Sequence, residues 1–222
     1  MELKVVAKLR SGYTTKFGTP RQSGLIDAPQ EVVFEPEYKD ENMLRGITEY
    51  SHLWLIWGFS EVDSWSPTVR PPRLGGNVRV GVFATRSPFR PNPLGLTLVK
   101  LEGVEKRKSG LVLKVKGADM VDGTPIYDIK PYLPYVEAKP CATGGFSDEV
   151  KGYRLEVDIP DEYKDRLDEA TLQTIKEIIA SDPRPSYQTD EERVYGFEYG
   201  GCEIKFVVKE NVAYVKEIKG DG

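Results

Sequence analysis

Apolar and polar side chains alternate along residues 3–10, LKVVAKLR. Leu3, Val5, Ala7 and Leu9 point one way and Lys4, Lys8 and Arg10 the other, with Val6 breaking the polar side. A period of two is the mark of a half-buried strand. Residues 53–59, LWLIWGF, form an unbroken apolar run and predict a strand buried on both faces. Alternation returns at 78–84 through Val78, Val80 and Val82. Strands are also predicted at 96–104 and 111–117, where Leu111, Leu113 and Val115 alternate with Val112, Lys114 and Lys116. The polar turn KRKSG between them ends in Gly110, as a hairpin would. Residues 126–130, IYDIK, make a further short strand, and a short helix is placed near residues 41–49.

Strands at short intervals, punctuated by Gly and Pro, predict a mostly antiparallel barrel or curled sheet rather than βαβ units. The G-x-G-x-x-G fingerprint of a Rossmann fold and the P-loop pattern are both absent, and no internal repeat is found. Residues 137–150, EAKPCATGGFSDEV, have no periodicity and read as a linker. Beyond it, residues 153–159 alternate, and Asp161 is placed as the cap of a helix running to about Ala180. Leu167, Leu172, Ile175, Ile178 and Ile179 fall on one stripe of that helix. Residues 194–199, 202–208 and 212–218 predict three strands, with turns at Gly200–Gly201 and Asn211. The division is a mainly β domain over 1–137, a linker over 138–150, and a small α+β domain over 151–222.

Composition adds limits. With 222 residues, 39% hydrophobic and 30% charged, the chain is that of an ordinary globular protein. Two cysteines, Cys141 and Cys202, are too few for a disulfide framework or a zinc site. His52 is the sole histidine; it follows Tyr50-Ser51 at the start of a buried strand, no nearby Ser or Cys forms a triad with it, and it reads as structural. The chain opens directly on a strand pattern, without a leader, and no apolar run is long enough to span a membrane. A cytoplasmic protein without a structural metal is expected.

The charge distribution changes the picture more than the net charge of −4. From Ser64 to Leu101 there is no Asp or Glu, while Arg70, Arg73, Arg79, Arg86, Arg90 and Lys100 give the window a charge of +6. One arginine alone would be taken as paired to a distant carboxylate. Five in an acid-free window predict a surface for anions, phosphates or a polar cofactor. Residues 66–97 set these arginines among prolines, which fix φ, and glycines, which permit sharp turns. Such loops lose little further entropy on binding, and the guanidinium fork suits phosphates, carboxylates and aromatic rings.

Three more segments carry candidate chemistry. GADMVDGTPIYDIKPYLP, residues 117–134, lacks the EF-hand spacing. Asp122-Gly123 in it is a turn pair. Asp119 either caps a turn or accepts a hydrogen bond from a cofactor amine, and Lys130 and Tyr132 serve either packing or base and phosphate contact. In GTPRQSGL, residues 18–25, the amide of Gln22 suits the edge of a heterocycle. In SDPRPSYQ, residues 181–188, Asp182-Pro183 ends a helix and a rigid loop offers Arg184 and Tyr187, or else only terminates the helix.

Taken in order, PRQ, YSHLW, VRPPRLGGNVRVGVFATRSPFRPNPLG, VDGTPIYDIKPYLP and DPRPSY resemble the TsaA-like family, the transfer-RNA methyltransferase O type, over most of the chain. The resemblance implies a single-sheeted antiparallel β-barrel that binds S-adenosylmethionine without a Rossmann fold. It implies methyl transfer to N6 of N6-threonylcarbamoyladenosine beside the anticodon of transfer RNA, by a homodimer with cofactor sites near the subunit boundary. Carried over by motif, the cofactor contacts fall on Pro20, Arg21, Gln22, Ser60, Glu61, Arg86, Leu96, Lys116, Gly117, Ala118 and Asp119, those at 116–119 largely through backbone. At Ser60 and Glu61 the match is one of position only. Candidates for the transfer RNA are Arg70, Arg73, Arg90, Asn92, Lys130, Tyr132, Arg184 and Tyr187. Asn92-Pro93-Leu94-Gly95 does not complete the N-P-P-Y/F loop of familiar N6-adenine methyltransferases, and no catalytic base is assigned. Two rival readings remain at this level: a transfer-RNA binding module without catalysis, and an S-adenosylmethionine-dependent methyltransferase of a small molecule.

Overall fold

The computed structural model describes residues 2–71, 78–108, 110–150, 152–164, 166–185, 188 and 190–220. Its first part is a closed barrel of six strands, in the spatial order β1 (Ala7–Arg10), β2 (Pro29–Phe34), β7 (Gly110–Lys116), β6 (Leu94–Arg107), β3 (His52–Gly58) and β8 (Pro125–Pro131). All neighbours are antiparallel, and β1 closes the ring against β8. Closure removes the open edges at which a sheet would aggregate. β6 and β7 form the expected hairpin, with Arg107 opposite Gly110.

Ala7 and Leu9, and Leu111, Leu113 and Val115, inward by alternation, fill one core with Leu53, Leu55, Val99, Phe34, Trp57, Met120 and Ile126, whereas the strand expected over 3–10 is cut to β1 and Leu3 is exposed. β2 was not predicted. Its inward residues are Gln30, Val32 and Phe34, so a glutamine takes a core position and blurs the apolar pattern. β3 corrects a second expectation. Only Leu53, Leu55 and Trp57 point inward; His52, Trp54 and Ile56 face out and stay half-exposed. The predicted strand at 78–84 is cut short. Two residues, β5 (Val80–Gly81), pair with β4 (Thr68–Val69), and a turn of 3-10 helix follows at Val82–Ala84. Two further 3-10 turns, Glu41–Leu44 and Ile47–Glu49, stand where a helix was expected. A single α-helical turn, α1 (Pro134–Glu137), follows β8.

The second part is a four-stranded sheet in the order β10 (Tyr195–Tyr199), β11 (Cys202–Lys209), β12 (Val212–Lys219) and β9 (Glu156–Asp158). The helix expected to start at Asp161 is two pieces, α2 (Asp161–Lys164) and α3 (Glu169–Ala180). The cap of the longer piece is Asp168, whose Oδ1 accepts from the Thr171 amide at 3.0 Å. Ile175, Ile178 and Ile179 of α3 are fully buried against the sheet.

The two parts share a core. The connection between β1 and β2 leaves the barrel, and its Tyr13, Ile26 and Ala28 pack with the C-terminal sheet and α3. Tyr13 forms an isolated bridge with Tyr199, the rings 5.3 Å apart. Gly12 and Gly18 let the chain lie flat on Tyr199 and Phe197, where a Cβ would come within 2.7 and 2.9 Å of the rings.

Outside the barrel, Arg107 grips Glu31 with two parallel 2.8 Å bonds and Glu105 with bonds of 2.7 and 2.9 Å, while Lys114 reaches both carboxylates. The Arg107 and Lys114 hydrogen bonds hold the Glu105 carboxyl at about 2 and bring Glu31 below its ordinary value. A carboxyl depressed on folding stabilises above its unfolded pKa and loses that contribution as pH falls. Urea midpoints should therefore decline as pH drops from about 4.5 towards 2. Glu31→Gln should flatten this decline and lower the midpoint at pH 7. An unchanged profile would show that the network adds nothing to stability.

Candidate active site

The site is assembled by residues 20–24. Pro20 is buried and fixes the entry of the loop. Arg21 sends one Nη2 to two carbonyls of the C-terminal loop, Pro183 at 3.2 Å and Arg184 at 2.6 Å. The Gln22 side-chain oxygen accepts from Arg86 Nη1 at 2.8 Å. The Ser23 backbone lies near the Asp119 carboxylate and helps lower its pKa. Gly24, at φ +73°, donates its amide to the Gly117 carbonyl at 2.9 Å. Arg21, Gln22 and Gly24 thus bind three separate segments.

Beyond β7, Gly117 turns at φ +86°, a region closed to most side chains, and brings Asp119 back towards the barrel. Gln30, the polar core residue of β2, accepts from the Ala118 amide at 2.8 Å and donates to its carbonyl at 3.0 Å. The Gly117 amide bonds Ala28 O at 3.4 Å. The backbone contacts expected over 116–119 thus meet main chain that already has partners, and the group offered outward is the Asp119 carboxylate. Thr97 Oγ1 donates to Asp119 Oδ1 at 2.6 Å, and Trp57 Nε1 donates to Thr97 Oγ1 at 2.8 Å. Gly95 makes the room: a Cβ there would lie 2.1 Å from the Trp57 ring. Burial pushes the Asp119 carboxyl above its ordinary range, while Thr97, its own amide, Arg86 and Ser23 pull it back.

The arginine loops explain the acid-free window. Arg90 Nη1 bonds the Val82, Thr85 and Ser87 carbonyls at 3.3, 2.7 and 3.4 Å, and its guanidinium lies 5.6 Å from the centre of the Phe83 ring. Arg79 holds Thr68 through its hydroxyl at 2.8 Å and its carbonyl at 3.2 Å. Arg86 is exposed and bonded to a neutral amide, and Arg70 is exposed. Among the described residues, none of these four forms an ion pair. The partners of Arg79, Arg86 and Arg90 are neutral, so the loops are cross-linked without contact ion pairs, and the carboxylate that Arg86 acts on is Asp119.

The remaining expected residues are dispersed. Ser60 is exposed and Glu61 pairs with Lys16 at 2.9 Å, tying the turn after β3 to the β1–β2 connection. Leu96 faces outward and is 54% exposed. Lys116 pairs with Glu102 at 3.4 Å and Lys130 with Asp128 at 2.9 Å. Tyr132 packs edge-on to Trp54, with centroids 6.1 Å apart. Asn92 is exposed beside the start of β6. The fork of Arg184 is closed on Asp182 at 2.8 and 3.0 Å, and its guanidinium lies 5.8 Å from the centre of the Tyr195 ring. Arg73 and Tyr187 lie outside the described residues. His52 shares a 2.9 Å bond with Ser51 and is remote from this cluster in the hydrogen-bond pattern. Sequence reasoning missed Ser23, Gln30, Trp57 and Thr97. A polar residue in each of two core strands, Gln30 and Thr97, was the available signal.

A closed antiparallel barrel with a sheltered carboxylate at one rim, amid arginines whose hydrogen-bond partners are neutral, defines a barrel-type binding fold with a cationic face. A family model described as the tRNA-methyltransferase O N-terminal domain matches residues 8–138, and one for the TrmO C-terminal domain matches residues 152–221. The chain belongs to the tRNA-methyltransferase O family. It is 42% identical to a tRNA (adenine(37)-N6)-methyltransferase of Escherichia coli strain K12, over 86% of this chain and 85% of that one. It is 48% identical to a protein of the same description from Eikenella corrodens, over 76% and 97%. The crystal structure of TrmO from Pseudomonas aeruginosa superposes with a TM-score of 0.78 at 28% identity, over 99% of each chain.

Arg21→Ala should free the loop at residues 182–185. Hydrogen bonds from a charged group contribute about 1.5–3 kcal/mol, so amide exchange there should quicken by about tenfold to a hundredfold, with the barrel strands unchanged. Unchanged exchange would show that the loop is held by its own turn and by Asp182 alone.

Proposed function

We propose that this protein transfers a methyl group from S-adenosylmethionine to N6 of N6-threonylcarbamoyladenosine beside the anticodon of transfer RNA, acting in the cytoplasm as a homodimer. The observation that carries the reading is the pairing, across the 20–24 loop, of an acceptor carboxylate at Asp119 with an exposed guanidinium at Arg86 that has no contact ion pair among the described residues. These are the complements of an amine and a carboxylate, and a cofactor with an amino-acid end and an adenine carries both kinds of group. Exposed Leu96 and its neighbour Leu94 offer apolar surface nearby in sequence. The residues fit the cofactor by this chemistry.

Bound S-adenosylmethionine supplies the methyl group as an electrophile on sulfur. The protein's share is placement, since an in-line approach of a few ångströms is worth several orders of magnitude. Methylation of N6 would release its proton to a base or to water, and the chain's residues would serve to hold N6 in place for it. Acylation of N6 makes that proton more acidic, and a base or a polar group that polarises N6–H, rather than a metal, would assist its loss. Arg70, with Arg73, Asn92, Lys130 and Tyr132, is proposed to meet the transfer RNA. Arg90 and Arg184 act at one remove, by fixing the loops that present it.

The outward apolar row of β3 and β6 supports the dimer. Trp54 and Ile56 stand opposite Leu98 and Leu96, with Leu94 and Tyr132 beside them; Trp54, Ile56 and Leu98 stay half-exposed, and Leu94 and Leu96 are exposed. A row of this kind on a closed barrel matches the core of an interface. The chain has no described helix long and apolar enough to cross a membrane. The proposed domain division is 1–137, 138–150 and 151–222, with the shared core of Tyr13, Ile26 and Ala28 joining the two parts.

The test is methylation in vitro of threonylcarbamoylated transfer RNA beside an unmodified control, read by nucleoside mass analysis. A methyl group on N6 of the modified nucleoside alone is expected. Binding of the transfer RNA should weaken steeply with salt, by a log–log slope of about −0.7 to −0.9 per phosphate contact. Cofactor binding without transfer to either RNA would overturn the reading.

A further inference from the structure

We infer that Thr97 and Trp57 are positioning residues that hold Asp119 as an ionised, acceptor-only carboxylate for a donor group of the bound cofactor. The inference rests on the functional reading above, but its geometry is independent of it.

Directionality settles who donates. The indole N–H of Trp57 is a donor and nothing else. At 2.8 Å it occupies a lone pair of Thr97 Oγ1. Thr97 is buried, at 1% exposure, and its one hydroxyl proton must find an acceptor. Asp119 Oδ1, at 2.6 Å, is the acceptor in reach, and the length is that of a hydroxyl bonded to a charged oxygen. The reverse arrangement has Asp119 protonated and donating. Thr97 would then accept from both sides, leaving its own proton buried with no partner among the described hydrogen bonds. A proton on Asp119 Oδ2 would leave Oδ1 accepting from Thr97 as well, but a charged oxygen accepts more strongly, so the chain of two bonds through residues 57, 97 and 119 favours the ionised carboxylate.

The selection is needed because the surroundings work against it. Burial disfavours the charge, and the other groups facing Asp119 are few: Arg86 from the arginine loop, the Ser23 backbone from the 20–24 loop, its own amide, and Tyr13 from the β1–β2 connection. Burial pushes the Tyr13 phenol up, so Tyr13 stays neutral throughout and adds no charge of its own. Arg86 is exposed and shares its guanidinium with Gln22, which leaves the buried Thr97 hydroxyl as the fixed side-chain donor among the described hydrogen bonds. A neutral carboxylic acid at this place would present a proton to the cofactor's donor and repel it.

The readout is the Asp119 carboxyl carbon, followed by NMR from pH 4 to 8 in the protein without ligand. Thr97→Val keeps the volume and removes the hydroxyl. It should raise the midpoint by about one to two pH units, the equivalent of a tenfold to hundredfold preference. Thr97→Ser should restore it, and Trp57→Phe should move it the same way by less, because the hydroxyl then loses its orientation and keeps its proton. S-adenosylmethionine affinity should follow. In Thr97→Val the acid limb of binding moves up by the same interval, while affinity at pH 8 changes less than about threefold. Melting temperatures check the fold, and Trp57→Phe carries the test should Thr97→Val not fold. A midpoint unmoved in the folded variants, or a loss of affinity equal at all pH values, would overturn the inference. A wild-type protein that binds no S-adenosylmethionine while the Asp119 midpoint still shifts would sink the functional reading and leave the hydrogen-bond chain standing.

Discussion

Nearly everything at this site depends on one five-residue loop having no freedom. Residues 20–24 spend Arg21 on the C-terminal loop, Gln22 on the arginine loop, and Ser23 and Gly24 on the turn after β7. None of these partners belongs to a strand ladder, so none would be placed by the barrel alone. Ordering a residue costs about 1–2 kcal/mol, and here that cost is met on folding rather than on binding. The connection can do this because its flanks are sunk into a second core: Tyr13 on one side and Ile26 and Ala28 on the other are buried with the C-terminal sheet. The C-terminal part is thus a wall of the site.

The arginines of the acid-free window show how a protein keeps charge and rigidity together. A carboxylate partner would fix an arginine but cancel its field. Backbone carbonyls fix Arg90 and Arg79 through partial charges only, so the long-range positive potential survives. Prolines in the same loops cannot donate, and the guanidinium groups supply donors to carbonyls that would otherwise look to water. The sequence feature that stood out, arginine among proline without acid, is the visible trace of this exchange.

The fold was legible where one physical rule acted alone. Strands with apolar inward faces, such as Leu111–Leu113–Val115, announced themselves by period, and KRKSG announced its hairpin. Legibility failed where a polar residue entered the core or a loop competed with a strand. Gln30 hid β2 because its place in the barrel is set by a loop amide 88 residues away. The 53–59 run suggested burial on two faces, yet its outward residues stay half-exposed. Asp161 outbid Asp168 as a cap because the break between α2 and α3 leaves no gap in the apolar stripe. At the site, Arg21, Gln22, Arg86 and Asp119 came from resemblance and motif. Ser23, Trp57 and Thr97 did not, since their roles lie in contacts across the barrel that no spacing encodes.

That last point bears on how the barrel does without a nucleotide-binding glycine loop. In a parallel sheet, a helix N-terminus supplies preset donors for an anionic ligand. An antiparallel barrel has no such helix and must build polarity from side chains reaching across strands. β3, β6 and β7 are neighbours in the ring, so an inward Trp57, an inward Thr97 and a carboxylate just past the end of β7 form a line running from the core to the rim. Closure of the ring fixes the register of that line: Trp57 must sit opposite Gly95, two residues from Thr97, and only a glycine there leaves space for the indole. Register, glycine and hydrogen-bond direction are therefore a single constraint. A shift of β6 by one residue would turn Thr97 to the outside and leave Asp119 buried without its donor.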